Sequence, residues 1–259
     1  FFLVVHALGD FYFQSEKLAD SKTKRYGSVA VHGAVYLAVS LVCAALFWSW
    51  PLLIAAAALS VLHFAADSVK FVWAPKIEAR RKKPEALADE KAEAKAAAER
   101  EARFEAAVFA VDQAVHVACI AAAALVLTLT GSPLALLPGA ETLLLRLTDA
   151  PLLALAWAGL ILLAIKPANI VIKKLTGPYR PEDDAADVRK AGAFIGALER
   201  LLILLLMSVG QHAAIGLVLT AKSVARYNKI AENKQFAEYY LLGTLLSALF
   251  AVGSYLLLV

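Results

Sequence analysis

The sequence predicts an all-α, polytopic membrane protein: a bundle of about eight transmembrane helices with both termini outside and a charged cytoplasmic helical insert. Three observations predict it. The chain of 259 residues is 61% hydrophobic, well above the roughly 45–50% of a soluble domain. Its mean hydropathy is +0.66, and several apolar runs reach the ~20 residues that a helix needs to cross hydrocarbon. The basic residues alternate sharply from loop to loop. Short alternating segments of the outer-membrane barrel kind are absent. The net charge is +4, but its placement in the loops matters more than its size. The expected partner is the lipid bilayer, and no nucleic-acid partner is expected. Cys43 and Cys119 lie in apolar runs without a close partner, so they read as small core residues rather than a disulfide or thiolate site.

The first span covers about residues 1–14 and is followed by a basic linker with Lys17, Lys22, Lys24 and Arg25. The second covers about 28–48 and carries His32. Trp48 and Trp50 mark an interface, and Pro51 opens the third span, about 51–73, where its missing N–H is tolerated. That span carries His63 and Asp67, and Trp73 and Pro75 mark its end. Residues 76–105 are rich in Ala, Glu, Lys and Arg. Pro84 suits a helix start there, and the sequence beyond predicts a solvated helix running into the fourth span. No apolar heptad seam supports a coiled coil.

The fourth span, about 106–130, holds Asp112 and His116. A loop with Gly131, Pro133, Pro138 and Gly139 follows, and then a short interfacial helix over about 141–149. The fifth span, about 151–172, contains Lys166 and Asn169 around Pro167, which should kink it or end its regular part. A loop with Gly177, Pro178 and Pro181 leads to acidic Glu182, Asp183 and Asp184. The sixth span covers about 190–210, the seventh about 211–226 and the eighth about 238–259. The chain divides into four-span halves, 1–130 with the His/Asp motifs and the insert, and 131–259 with Glu199, Arg200 and Lys222.

Loops after the first, third, fifth and seventh spans are rich in Lys and Arg, while the intervening loops carry only Arg146. By the positive-inside rule the rich loops are cytoplasmic, which places the chain as a multi-pass protein of a cytoplasmic membrane.

His6 and Asp10 are four apart, as are His63 and Asp67, and Asp112 and His116. In a helix each pair shares a face. Such groups inside hydrocarbon are costly unless they pair or bind something. With His32, they fall about four to eleven residues from the cytoplasmic ends of four spans, one layer at ~1.5 Å per residue. Imidazole and carboxylate together suit zinc first, and also iron or manganese. One or two divalent ions per chain are expected on His6, Asp10, His32, His63, Asp67, Asp112 and His116, some carboxylates bridging or orienting the histidines. One pair alone is equally satisfied by a plain hydrogen bond; three at one depth favour a metal. His32 is the weakest member, having no partner on its own helix. His212 lies at the opposite, outer end.

A second polar set lies on the later helices. Glu199 and Arg200 follow the small-residue face of Gly192 and Gly196, which permits close packing. Adjacent helix residues do not face each other, so Arg200 is expected to meet a carboxylate elsewhere or an anionic substrate group. Lys70, Lys222 and Arg226 lie nearer the rim, where snorkelling to headgroups is the plainer reading. Asp67, Asp112 and Arg200 are the candidate catalytic residues. Lys70, Glu199, Arg200, Lys222 and Arg226 are the candidate substrate-binding residues.

The stretch His6-Ala7-Leu8-Gly9-Asp10-Phe11 with Gln14, His63-Phe64 with Asp67 and Lys70, and Asp112-Gln113 with His116 resemble a bacterial membrane family known as domain of unknown function 3307. In the second half the resemblance covers Gly192, Ile195-Gly196 with Leu198-Glu199-Arg200, Ala221-Lys222-Ser223 with Arg226, and Glu238-Tyr239 with Gly243-Thr244. It implies a bacterial inner-membrane location and no activity. More distantly, the His-x-x-x-Asp helices look like those of membrane-bound metal-dependent hydrolases, by analogy alone.

Three functions fit. A hydrolase would use the metal to activate water, with Arg200 and Lys70 or Lys222 holding an anionic, lipid-like or phosphorylated substrate, so that Arg200 faces the metal. A divalent-metal or proton-coupled transporter would keep its site near the midplane, with access to both faces; the polar groups gather instead in the inner half. A structural metal would only staple helices. A Gly-rich phosphate loop, a His-Glu-x-x-His motif and a Gly-x-Ser-x-Gly elbow are all absent.

Overall fold

Eleven α-helices, a π turn and a short 3-10 turn account for the regular structure among the described residues, and no strand occurs there. The computed structural model describes residues 1–47, 49–81, 90–132, 134–181 and 186–259. Trp48, Pro84, Pro133 and acidic Glu182, Asp183 and Asp184, all singled out above, lie outside the described residues. In chain order the helices are α1 (Phe2–Ala7), α2 (Glu16–Lys22), α3 (Tyr26–Ala45), α4 (Trp50–Arg81), α5 (Glu90–Leu129), α6 (Pro138–Leu145), α7 (Pro151–Thr176), α8 (Ala186–Ser208), α9 (His212–Val224), α10 (Tyr227–Glu232) and α11 (Lys234–Leu258).

Six of them, α3, α4, α5, α7, α8 and α11, are long and apolar enough to cross a membrane. The first and seventh expected spans correspond to shorter apolar helices, Phe2–Tyr12 and His212–Val224. The chain is therefore all-α with six membrane-competent helices, the composition of a multi-pass membrane protein. Many large apolar side chains point outward, among them Val61, Val126 and Leu205. In lipid such a surface needs no cover.

Two prolines expected to end or bend spans sit inside helices. α4 continues past Pro75 to Arg81, and α7 continues past Pro167 to Thr176. A membrane helix tolerates proline where neighbouring groups satisfy the freed carbonyls. α5 runs unbroken from the charged segment into the fourth expected span. Pro138 begins α6 at its first turn, where no N–H is needed.

The chain forms two compact units. The first comprises residues 1–96 and 107–155, the second 97–106 and 156–259. In the first, Phe2, Ala44, Leu52, Ala56, Leu59 and Ile120 form an apolar core from α1, α3, α4 and α5. In the second, Leu160, Ala164, Ile203, Leu204, Met207 and Ala251 do the same from α7, α8 and α11.

Two glycines set how closely the first unit packs. A Cβ at Gly33 of α3 would lie 2.7 Å from Cδ2 of Phe64 on α4. A Cβ at Gly9 would lie 2.5 Å from Cδ2 of Tyr36 on α3. Both neighbours are ring atoms, so only glycine admits the approach. Each glycine is next in sequence to a polar residue of the candidate site, His32 or Asp10.

Candidate metal centre

After α1 the backbone widens into a π turn, Leu8–Tyr12, with the Phe13 N–H bonded to the Leu8 carbonyl at 2.8 Å. Such turns re-aim side chains and concentrate at functional sites. Here the turn carries Asp10 inward toward α3 and α4. Its Oδ1 lies 3.0 Å from Nε2 of His32 and 3.1 Å from Nε2 of His63. The two Nε2 atoms are 3.0 Å apart. Oδ2 of Asp67 lies 3.6 Å from each of them. Four donor atoms thus converge from the π turn, α3 and α4. His32 is fully buried, and His63 and Asp67 nearly so.

The spacing has a chemical meaning. Around an ion with bonds of ~2.0–2.1 Å, tetrahedral donors stand about 3.3 Å apart. The His32–His63–Asp10 triangle has edges of 3.0, 3.0 and 3.1 Å, and Asp67 stands at 3.6 Å from both nitrogens. Protons alone satisfy this set poorly. One imidazole nitrogen carries at most one hydrogen, yet Nε2 of His32 faces three lone-pair-bearing atoms. Nδ1 of His32 and of His63 has no hydrogen-bond partner among the described residues. Packing holds the His63 ring instead, with Tyr36 stacked on it at 3.8 Å and 9°.

The remaining histidines flank this core. His116 donates Nδ1–H to the Asp112 carbonyl at 2.8 Å. This fixes the tautomer and leaves Nε2 as a buried lone pair with no partner among the described residues. With Asp67 and Asp112 it forms one further group whose donor atoms could hold an ion; His6 forms another with Asp10 and His63. Nε2 of His6 is 3.3 Å from Oε1 of Gln113 and 3.8 Å from Oδ2 of Asp10. Its Nδ1 is 3.4 Å from the Tyr36 hydroxyl. All seven expected ligands are thus gathered in the first unit.

Two lysines meet the carboxylates. Lys22 of α2 reaches Oδ2 of Asp67 at 2.7 Å and Oε1 of Gln14 at 3.1 Å. Lys70 reaches Oδ2 of Asp112 at 2.9 Å. Lys22 entered the sequence reading only as a linker charge. Its place became visible when the linker folded into α2, capped by Ser15, whose Oγ accepts from the Leu18 N–H. Asp10, Asp67 and Asp112 still exceed the two lysines by one negative charge.

Glu199, Arg200, Lys222 and Arg226 gather in the second unit. Arg200 is 1% exposed. It donates Nε–H to the Ala164 carbonyl at 2.6 Å, Nη1–H to Ser247 Oγ at 3.1 Å and Nη2–H to Asn169 Oδ1 at 2.6 Å. Its acceptors are all neutral. Ala164 belongs to the turn before Pro167, where the ring disturbs the helix ladder and a side chain can reach a carbonyl. Glu199 faces away to Lys222, at 2.6 Å.

The family of proteins of unknown function designated DUF3307 matches residues 1–144, the stretch holding every His/Asp ligand candidate. The chain belongs to that family. No curated protein and no solved structure matches it.

Proposed function

We propose that this member of the DUF3307 family is a membrane-embedded metalloprotein whose ion, zinc in the first instance, is held by His32, His63 and Asp10, with Asp67 beside the fourth position, 3.6 Å from both histidine nitrogens. The observation that carries the reading is the triangle of three donor atoms 3.0–3.1 Å apart with a fourth at 3.6 Å. The groups around His6 and around Asp112 and His116 offer room for a second ion sharing Asp10, His63 or Asp67.

A hydrolytic use follows from the chemistry. Three protein ligands would leave a fourth position for water, and a bound ion would supply the acidity that lets such a water act as a nucleophile near neutral pH. In this reading Asp67 would take its proton, and Lys22, 2.7 Å from Asp67 Oδ2, would hold Asp67 or the charge that develops on the substrate. Water adds across an ester bond, giving an acid and an alcohol. Lys22 and Lys70 favour an anionic substrate, lipid-like or phosphorylated. The loop charges favour a centre near the cytoplasmic face, in the inner membrane of a bacterium.

The test is metal content of freshly purified protein by mass spectrometry. One or two divalent ions per chain are expected, with less than about a tenth remaining in His32→Ala and His63→Ala while helical circular dichroism is kept. Negligible metal, together with no thermal shift on adding zinc, manganese or iron, would mean that the cluster is only hydrogen-bonded. Uptake of the ion into sealed vesicles, lost in His63→Ala, would replace the hydrolase by a transporter.

A further inference from the structure

The second unit holds a half-open cavity of about 730 Å³ lined by α7, α8, α9 and α11 and the 97–106 part of α5. Arg200, Lys173, Lys222 and Arg226 line it, with Asn169 and Ser247. We infer that this cavity binds a phosphate-ester anion carried on an apolar body. The inference does not rest on metal binding.

Charge is the first argument. Arg200 is nearly sealed from outside, and a buried guanidinium is costly unless an anion compensates it. Among the described residues no carboxylate pairs with it; its three acceptors are a carbonyl, a hydroxyl and an amide. A guanidinium has five N–H donors in a planar fork, so two remain after those bonds. A phosphate accepts such a pair well. Lys173 and Arg226 likewise have no carboxylate partner among the described residues. Glu199 pairs directly with Lys222, at 2.6 Å, and Glu105 on the cavity wall pairs with Lys174, at 3.4 Å.

Preorganisation is the second. The three bonds on Arg200 fix the fork before a ligand arrives. Gly196 lets the fork sit where it does: a Cβ there would lie 3.2 Å from Nη1 of Arg200. The Tyr240 ring lies 5.3 Å from Nζ of Lys222 and 5.9 Å from the guanidinium carbon of Arg226, within cation–π range. The remaining walls include Ile170, Ile195 and Phe236. A bare phosphate would leave most of this space unused, since volumes of ~300–1,000 Å³ suit drug-sized ligands. An anion with an apolar body uses both kinds of wall.

The experiment titrates the full chain, reconstituted in phosphatidylcholine nanodiscs, with two probes: inorganic phosphate, and phosphatidic acid doped into the discs. Binding is read by native mass spectrometry and calorimetry. At least one probe should bind above the phosphatidylcholine background. Arg226→Gln and Arg200→Lys should each weaken it about tenfold, the loss of one charge-assisted contact. Phosphatidic acid binding much tighter than phosphate points to a membrane lipid as the source; equal binding points to a soluble phosphate compound. Should Arg200→Lys fail to fold, Arg226→Gln at the more open side carries the test. His63→Ala should bind the probe as the unaltered chain does, which separates this site from the metal reading. Absence of binding by both probes, or binding unchanged in Arg226→Gln, overturns the inference.

Discussion

The ring of Phe64 on α4 occupies the space that a side chain at Gly33 on α3 would need, with only 2.7 Å between Cδ2 and an added Cβ. The contact lies one residue from His32 on one helix and from His63 on the other. The absence of a methyl group therefore sets the distance between the two imidazoles.

Gly33→Ala should push α3 and α4 apart by a few tenths of an ångström, at a cost of about 1–3 kcal/mol for overpacking. Gly27→Ala, on the same helix with nothing within 4 Å of its added Cβ, should be neutral or stabilise by up to about 1 kcal/mol. Thermal unfolding of the two variants, with metal content measured on each, decides it. Equal stability and equal metal in both would show that the contact does not position the site.

Lys22→Met removes the ammonium held 2.7 Å from Oδ2 of Asp67. A divalent ion would then lose a neighbouring positive charge, and its affinity should rise about tenfold at partly buried separations. Any hydrolysis of an anionic substrate should fall. Competition with a chromogenic chelator reads the first effect. A weaker ion in Lys22→Met would mean that the lysine supports the ligand instead of competing for it.

Ser247→Ala deletes the hydroxyl that accepts from Nη1 of Arg200 at 3.1 Å. A bond to a buried charged group contributes about 1.5–3 kcal/mol. Thermal unfolding should fall accordingly, while metal content stays unchanged because the residue belongs to the second unit. An unaltered midpoint would show that Arg200 finds another acceptor.

The topology expected from the loop charges puts residues 76–105 in the cytoplasm. With Cys43 and Cys119 replaced by serine, Ala98→Cys on the exposed side of α5 should react with an impermeant maleimide in inside-out vesicles and stay protected in intact cells. Labelling from outside alone would invert the arrangement.

Much of the site was legible because helices repeat. Residues four apart share a face, and that rule found His63 with Asp67 and Asp112 with His116 without any structure. It placed His32 last because it compares residues on one helix, whereas the partners of His32 come from the π turn and α4. It also paired His6 with Asp10 too simply. The extra residue in the π turn rotates Asp10 toward His32, at 3.0 Å, and leaves His6 at 3.8 Å. Lys22 was illegible as a site residue because a basic linker predicts an inside loop and says nothing about where it folds back. The span pattern was readable from hydropathy for the six long helices. For Phe2–Tyr12 and His212–Val224 the apolar run extends into flanking residues that the backbone does not continue as helix.

At 40 residues, α5 is about 60 Å long at ~1.5 Å per residue. The hydrocarbon layer is about 30 Å thick, and tilts average only ~20°. Roughly half of this helix must stand clear of the lipid tails, and the charged sequence says which half. A protein of 27.7 kDa enclosed in detergent ordinarily shows an electron microscope little but the micelle. The charged start of α5 lies ~39 Å along the helix from His116 at ~1.5 Å per residue, so an antibody fragment fused there would add mass for alignment without touching that histidine.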